Sequence, residues 1–188
     1  MHLVTNDQHR QQSDEILATR RWLERAVIGL NLCPFAKAVY VKQQVRFVLS
    51  DAATEEELLT DLGEELQRLQ AVGPDETDTT LIVHPRVLTD FIDYNDFLDL
   101  VDGLIAELDL EGELQVASFH PDYQFADSAF DDPGNCTNRA PYPTLHLLRE
   151  ASLDKAITAY PDADVIVERN LKTMSVLGLD GFRKLLAY

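Results

Sequence analysis

Two histidine–proline pairs, His84-Pro85 and His120-Pro121, each follow an apolar run that is typical of a buried β-strand. In open α/β sheets, ligands collect beyond the carboxyl ends of the strands. If the two strands are parallel, both imidazoles lie at the same edge of the sheet. There they could act as general acids or bases, or as metal ligands. The alternative is that each histidine is structural and is held in a turn by main-chain groups.

A third histidine, His146, lies in the run TLHLL. If that run is a strand, its imidazole points away from Leu145 and Leu147. Together with His84 and His120 it would complete a set of three neutral imidazoles, which can bind a divalent transition metal such as zinc and leave one position open. The sequence has no HExxH motif or comparable spacing, so this metal site depends on the three histidines converging in the fold.

Cys33 precedes Pro34, where a short helix could begin. A thiol at a helix N-terminus has a lowered pKa, which favours a nucleophilic or redox role. The alternative is an inert, buried small residue. Cys136 lies in a segment rich in Gly and Asn and could be exposed, but a redox pair with Cys33 would require that loop to fold back.

An irregular segment, residues 118–150, holds most of the remaining candidates. Arginine offers a planar fork that suits carboxylate or phosphate, and polar neighbours could hold a substrate or orient the histidines. The alternative for each arginine is a salt bridge with a nearby acid. The candidate substrate-binding residues in this loop are Arg139, Arg149, Asn138, Asp122 and Tyr123.

The composition limits the classes of partner. The 188 residues carry a formal net charge of -17, and the sequence pI is near 4.5. Such acidity argues against a nucleic-acid surface and against docking on anionic lipid. The two cysteines do not form a disulfide framework, and no apolar run has the length of a signal or membrane segment. We therefore expect a cytoplasmic protein that binds neither nucleic acid nor membrane.

Periodicity and capping residues predict the elements that position these residues. Strands are expected over residues 45–49, 81–83, 114–119 and 144–148, and helices over residues 13–30, 54–72, 90–108, 152–160, 162–178 and from 180 onwards. We predict a flexible N-terminus of residues 1–12 and a single α/β domain over residues 13–188. Its sheet is small, mixed and mostly parallel, with flanking helices and a C-terminal helical segment.

Four segments resemble a bacterial protein family known as domain of unknown function 1415. They are NLCPFA at residues 31–36, His-Pro at residues 84–85, FHPDYQFA at residues 119–126 and TNRAPYPTLHLLREAS at residues 137–152. The resemblance covers nearly the whole chain and implies a small soluble bacterial protein. It brings no activity, cofactor or catalytic residue with it.

Two functional interpretations follow. The first is a small enzyme with a cleft lined by His, Arg and Cys at the carboxyl ends of the strands, where His84, His120, His146 and Cys33 act on a small anionic substrate, with a divalent metal as one option. The second is a non-catalytic module that binds a small anion or a partner, in which the loop is structural. Residue types alone leave both open, together with the oligomeric state.

Overall fold

The computed structural model describes residues 13–159 and 163–187. The predicted flexible N-terminus and the predicted helix boundary at residues 160–162 lie outside the described residues. The helices are α1 (Asp14–Trp22), α2 (Ala36–Val41), α3 (Glu55–Ala71), α4 (Phe91–Glu107), α5 (Glu150–Ala159) and α6 (Ala163–Leu186), with a π-helical turn at Leu23–Ile28 and a 3₁₀ helix at Pro133–Thr137. The strands are β1 (Val45–Leu49), β2 (Thr79–Val83), β3 (Leu114–Phe119) and β4 (Thr144–Arg149).

The four strands form one mixed sheet in the order β1-β2-β4-β3. Strands β1 and β2 are parallel, and β4 runs antiparallel to both of its neighbours, β2 and β3. Three strands therefore point the same way, and the fourth returns between two of them. The predicted small α/β domain with a mixed sheet is confirmed. The sheet is not mostly parallel as predicted, because two of its three strand pairings are antiparallel.

Side-chain caps set the starts of the helices. The Ser13 hydroxyl accepts a hydrogen bond from the Ile16 amide at the start of α1. At α3, Thr54 accepts from the Glu57 amide at 3.2 Å, and the Glu57 carboxylate accepts from the Ala53 amide at 2.7 Å. These bonds satisfy amides that the first helical turn would leave without a partner, as the sequence predicts.

The sheet is covered on both faces. Helices α3 and α4 pack on one face through apolar residues at 3- and 4-residue spacing, and α1, the π-helical turn and α6 pack on the other. All five residues of β2 are buried, including the continuous apolar run at residues 81–83. The first core includes Leu58, Leu62, Leu66, Tyr94, Phe97, Ile82 and Leu145, and the second includes Ile16, Trp22, Phe47, Leu81, Cys136, Met174 and Phe182.

The C-terminal helical segment bends at Gly178, where φ is 68° and ψ is 168°. Side chains with a Cβ rarely adopt this region, so glycine suits the break. The sequence predicts this boundary correctly. None of the helices in the described ranges combines the length and the apolar character that a membrane crossing requires.

Candidate functional site

The structure brings His84 and His120 to the same edge of the sheet. Strands β2 and β3 point the same way, and each histidine follows the last residue of its strand. Both rings lie against the ring of Tyr94 on α4, with centroid distances of 5.7 Å for His84 and 5.2 Å for His120. The sequence pattern therefore finds a real cluster, which we call the His–Tyr–His stack.

Both histidines of this stack have no exposed surface and are held by the main chain. The His84 Nδ1–H donates to the Val87 carbonyl at 3.1 Å. The His120 Nε2–H donates to the Leu88 carbonyl at 3.3 Å, and its Nδ1 accepts from the Asp122 amide at 3.0 Å. These bonds fix neutral tautomers. Burial lowers the pKa of His84 to about 4 and also lowers the pKa of His120.

Tyr94 joins the stack to the strand ends. Its hydroxyl donates to the Thr144 carbonyl at 2.9 Å and accepts from the Phe119 amide at 3.2 Å. Burial raises the pKa of Tyr94, so the phenol stays neutral. The Nε2 of His84 is buried and has no hydrogen-bond partner among the described residues. The stack thus links α4 to three strands and leaves one acceptor unsatisfied.

His146 lies on the opposite face of the sheet, so the expected set of three histidines does not form. It pairs with Leu81 across the ladder, and its ring lies 6.0 Å from that of Phe119. Its Nε2 donates at 2.7 Å to the Thr79 hydroxyl, which itself donates to the Leu147 carbonyl. Burial lowers the pKa of His146 to about 4. In the described part of the chain, no three His, Cys, Asp or Glu side chains are placed to hold a metal ion.

Neither cysteine has the environment that the sequence suggests. Helix α2 begins at Ala36, not at Pro34, so the partly exposed Cys33 lies three positions before the first helical residue. Cys136 is buried rather than exposed, because the 3₁₀ helix that carries it packs against α6 through Met174 and Phe182. Burial raises the pKa of the Cys136 thiol. Both cysteines are free.

Arg139 lies in the predicted loop, but its guanidinium is hydrogen-bonded to main-chain carbonyls. Its Nε donates to the Tyr123 carbonyl at 3.0 Å, and a terminal nitrogen donates to the Phe130 carbonyl at 2.7 Å. Its guanidinium also lies 4.8 Å from the centroid of the Phe130 ring. With only 8% of its surface exposed, Arg139 holds the loop together and does not face an open cleft.

The remaining loop candidates surround the His–Tyr–His stack. The Tyr123 ring packs against Phe91 at 5.2 Å between centroids, and burial raises its pKa. Asp122 is exposed, and its carboxylate acts to raise the pKa of the neighbouring His120. The Asn138 carbonyl accepts from the His120 amide at 3.3 Å. These residues support the stack from the outside.

Arg149 lies at the other end of the sheet, far from the histidine edge. It pairs with Leu114, the first residue of β3, because β4 is antiparallel. Its guanidinium donates to the carbonyls of Leu69, Val72 and Thr77 at distances from 2.6 to 3.3 Å. It thus caps the C-terminus of α3, where a cation is favourable. The expectation that Arg149 shares a substrate cleft with Arg139 is wrong.

The most connected residue of the loop, Asn135, is not among the sequence candidates. It is fully buried, and its Oδ1 accepts from the Phe125 amide at 3.1 Å and the Ser128 hydroxyl at 2.7 Å. Its Nδ2 donates to the carbonyls of Ala129 and Phe130. An amide with donors and acceptors can bridge a loop in this way. The only signal in the sequence is an Asn next to a Pro-Gly turn, which is common.

The sequence patterns also do not predict a groove that lies between β1 and α3. Its volume is about 410 Å³, and five of its ten lining residues are acidic. The acids on α3 recur at positions i, i+4, i+7 and i+8, which form one stripe of a helix. The lining residues are Arg46, Phe47, Val48, Leu49, Asp51, Ala52, Glu57, Asp61, Glu64 and Glu65. We call this feature the acidic groove.

Some carboxylates of the acidic groove already have partners. Glu65 holds the Arg46 guanidinium through two hydrogen bonds of 2.7 and 2.9 Å. Asp61 accepts a short hydrogen bond from the Ser50 hydroxyl. Arg86 lies 3.6 Å from Asp51 at the rim. The groove therefore already accommodates one guanidinium in fork geometry, and its net charge remains negative.

The chain belongs to the family described as "Protein of unknown function (DUF1415)", whose family model matches residues 14–184. This agrees with the resemblance of the four sequence segments. No curated protein and no solved structure matches the chain.

Proposed function

We propose that the protein is a non-catalytic binding module whose acidic groove takes a cationic segment of a partner. The observation that carries this proposal is the bidentate contact between Arg46 and Glu65 inside the groove. This contact supports the proposal, because Glu65 holds a guanidinium in fork geometry there, and four further carboxylates line the same groove. Arg and Lys side chains of a partner would find the same type of acceptor there.

The arrangement favours an extended partner over a single metal ion. The acids follow α3 for more than two turns, and none of the described His, Cys, Asp and Glu side chains forms a group of three that could hold a metal. Exposed ion pairs contribute only about 0.2–1 kcal/mol each, so useful affinity requires several. The small anion expected from the sequence is a poorer fit, because Arg139 and Arg149 are bound to carbonyls.

The competing proposal is an enzyme at the His–Tyr–His stack. The unpartnered Nε2 of His84 favours it. The complete burial of both rings and their main-chain hydrogen bonds favour a structural role. We also propose a cytoplasmic location, since both cysteines are free thiols.

Neutralising part of the acidic groove is expected to weaken binding of a blocked peptide that contains four arginines. The variant is Asp61→Asn combined with Glu64→Gln, which removes two charges and keeps the side-chain sizes. Losing about 0.5 kcal/mol per ion pair predicts a roughly fivefold higher Kd. Isothermal titration calorimetry measures the Kd of both proteins at low salt, because salt screens ion pairs between exposed charges.

The matched control is Asp99→Asn combined with Asp102→Asn, which removes the same charge from exposed positions on α4. Its Kd should stay within twofold of wild type. Equal weakening in both double variants would mean that the peptide senses only the net charge, and the groove would not be the binding site.

A further inference from the structure

We infer that the partner adds an extended basic strand to the outer edge of β1, which refines and rests on the proposed function. Strand β1 ends the sheet, and β2 is its one neighbour in the strand order. Edge strands recruit extended peptides through main-chain hydrogen bonds, while alternate side chains supply specificity. Three observations support this mode over loose electrostatic contact.

The first observation is the position of the acidic groove. It is lined by four consecutive residues of β1, from Arg46 to Leu49. Successive side chains of a strand point to opposite faces of the sheet. Because the groove is lined by residues of both faces, we place it along the outer edge of the strand, where an added strand would lie.

The second observation is the direction of the backbone groups of β1. The Ser50 amide donates to the Val83 carbonyl at 2.8 Å, and the Gln44 carbonyl accepts from the Thr79 amide at 3.3 Å. Since alternate residues of a parallel strand bond to the same neighbour, the backbone groups of Val45 and Leu49 point outward. Within residues 13–159 and 163–187, β1 forms a ladder with β2 alone, and no turn or loop hydrogen bond reaches the outward groups of Val45 and Leu49.

The third observation is the match in charge and spacing. Arg46 points towards α3, where it reaches Glu65, so alternate side chains of an added strand would face the same helix. Glu57 and Asp61 are about 6 Å apart along α3, given ~1.5 Å per helical residue, and Glu64 and Glu65 lie on the next turn. Alternate residues of a strand repeat at roughly 6.6 Å. Lys or Arg at every second position therefore fits the stripe. A second copy of this chain would bring an acidic surface against it, since the net charge is -17.

Amide hydrogen exchange followed by NMR tests strand addition. The probe is a blocked peptide of seven residues in which Lys and Thr alternate. At about 90% saturation, exchange of the Val45 and Leu49 amides should slow roughly tenfold, because these protons exchange only from the free protein. The control is a peptide of the same composition in which the lysines are consecutive and do not alternate with Thr. It should protect the Val45 and Leu49 amides less.

The outcomes separate the two proposals. Binding that leaves the exchange of Val45 and Leu49 unchanged would overturn strand addition and leave the cationic partner intact. Protection of both amides in the free protein would also overturn it, since the edge would already be paired. If neither this peptide nor the arginine peptide binds, the proposed function fails and this inference fails with it.

Discussion

Lowering the pH from 7 to 5 is expected to reduce the free energy of unfolding by about 2 kcal/mol for each of His84 and His146. Burial lowers the pKa of both from the ordinary 6.5 to about 4. In this window the unfolded chain binds protons that the folded protein does not. The contribution of these histidines to the free energy of unfolding is therefore fully present well above pH 6.5 and is lost as the pH falls towards 4. The shift of His120 acts in the same direction.

Urea unfolding at pH 7, 6 and 5 measures this effect in the wild type and in a double variant, His84→Asn with His146→Gln. The new amides can keep the donors to the Val87 carbonyl and the Thr79 hydroxyl, but they do not titrate. The variant should lose most of the pH dependence, while carboxylate titration is common to both proteins. A wild-type stability that is constant from pH 7 to 5, or an equal decrease in the variant, would contradict neutral buried histidines.

The second large effect is expected from Asn135→Ala. The side chain makes four hydrogen bonds within the loop and is fully buried. At about 1 kcal/mol for each bond, and with buried groups left unpaired, the variant should lose roughly 3–4 kcal/mol of stability. Thermal and urea unfolding measure the loss.

Asn138→Ala is the matched control for Asn135→Ala, because the Asn138 side chain has one hydrogen bond among the described residues, from the Thr137 hydroxyl. We expect it to lose less than about 1 kcal/mol. If the loop is structural, folded Asn135→Ala protein should bind the arginine peptide as the wild type does. Loss of peptide binding with unchanged stability would instead place the ligand at the loop.

The sequence predicts the elements of this fold well because their signals are local. The Thr54–Glu57 capping box, the leucine stripe of α3 and the apolar run of β2 each depend on neighbours within one or two turns. Glycine at 178 likewise marks a break through its own backbone. These residues carry their structural meaning without the rest of the chain.

The site is harder to predict because it depends on partners that are distant in sequence. The pattern at His84 and His120 correctly brings two imidazoles to one edge, but burial against Tyr94 decides that both are neutral and enclosed. The sequence suggests that Arg149 is an anion ligand. The antiparallel direction of β4 instead places Arg149 at the C-terminus of α3, where it binds main-chain carbonyls. These residue types are found in active sites, but in this fold their burial and main-chain hydrogen bonds favour a structural role.

The acidic groove could not be found from the sequence for a related reason. Its acids are visible as a helical stripe, but such a stripe is usually a solvated surface. The stripe can serve as a binding surface for an added strand only because β1 is an edge strand, which follows from the strand order. Chain order alone does not show that β4 inserts between β2 and β3 and leaves β1 outside.

The most direct test is to map the amide chemical-shift changes of the labelled protein during titration with the alternating Lys and Thr peptide. We predict saturable changes concentrated in residues 45–51 and in α3 from Glu57 to Glu65, with little change near His84, His120 and Asp122. Changes centred on the histidine edge with β1 and α3 unaffected would contradict the assignment of binding to the acidic groove.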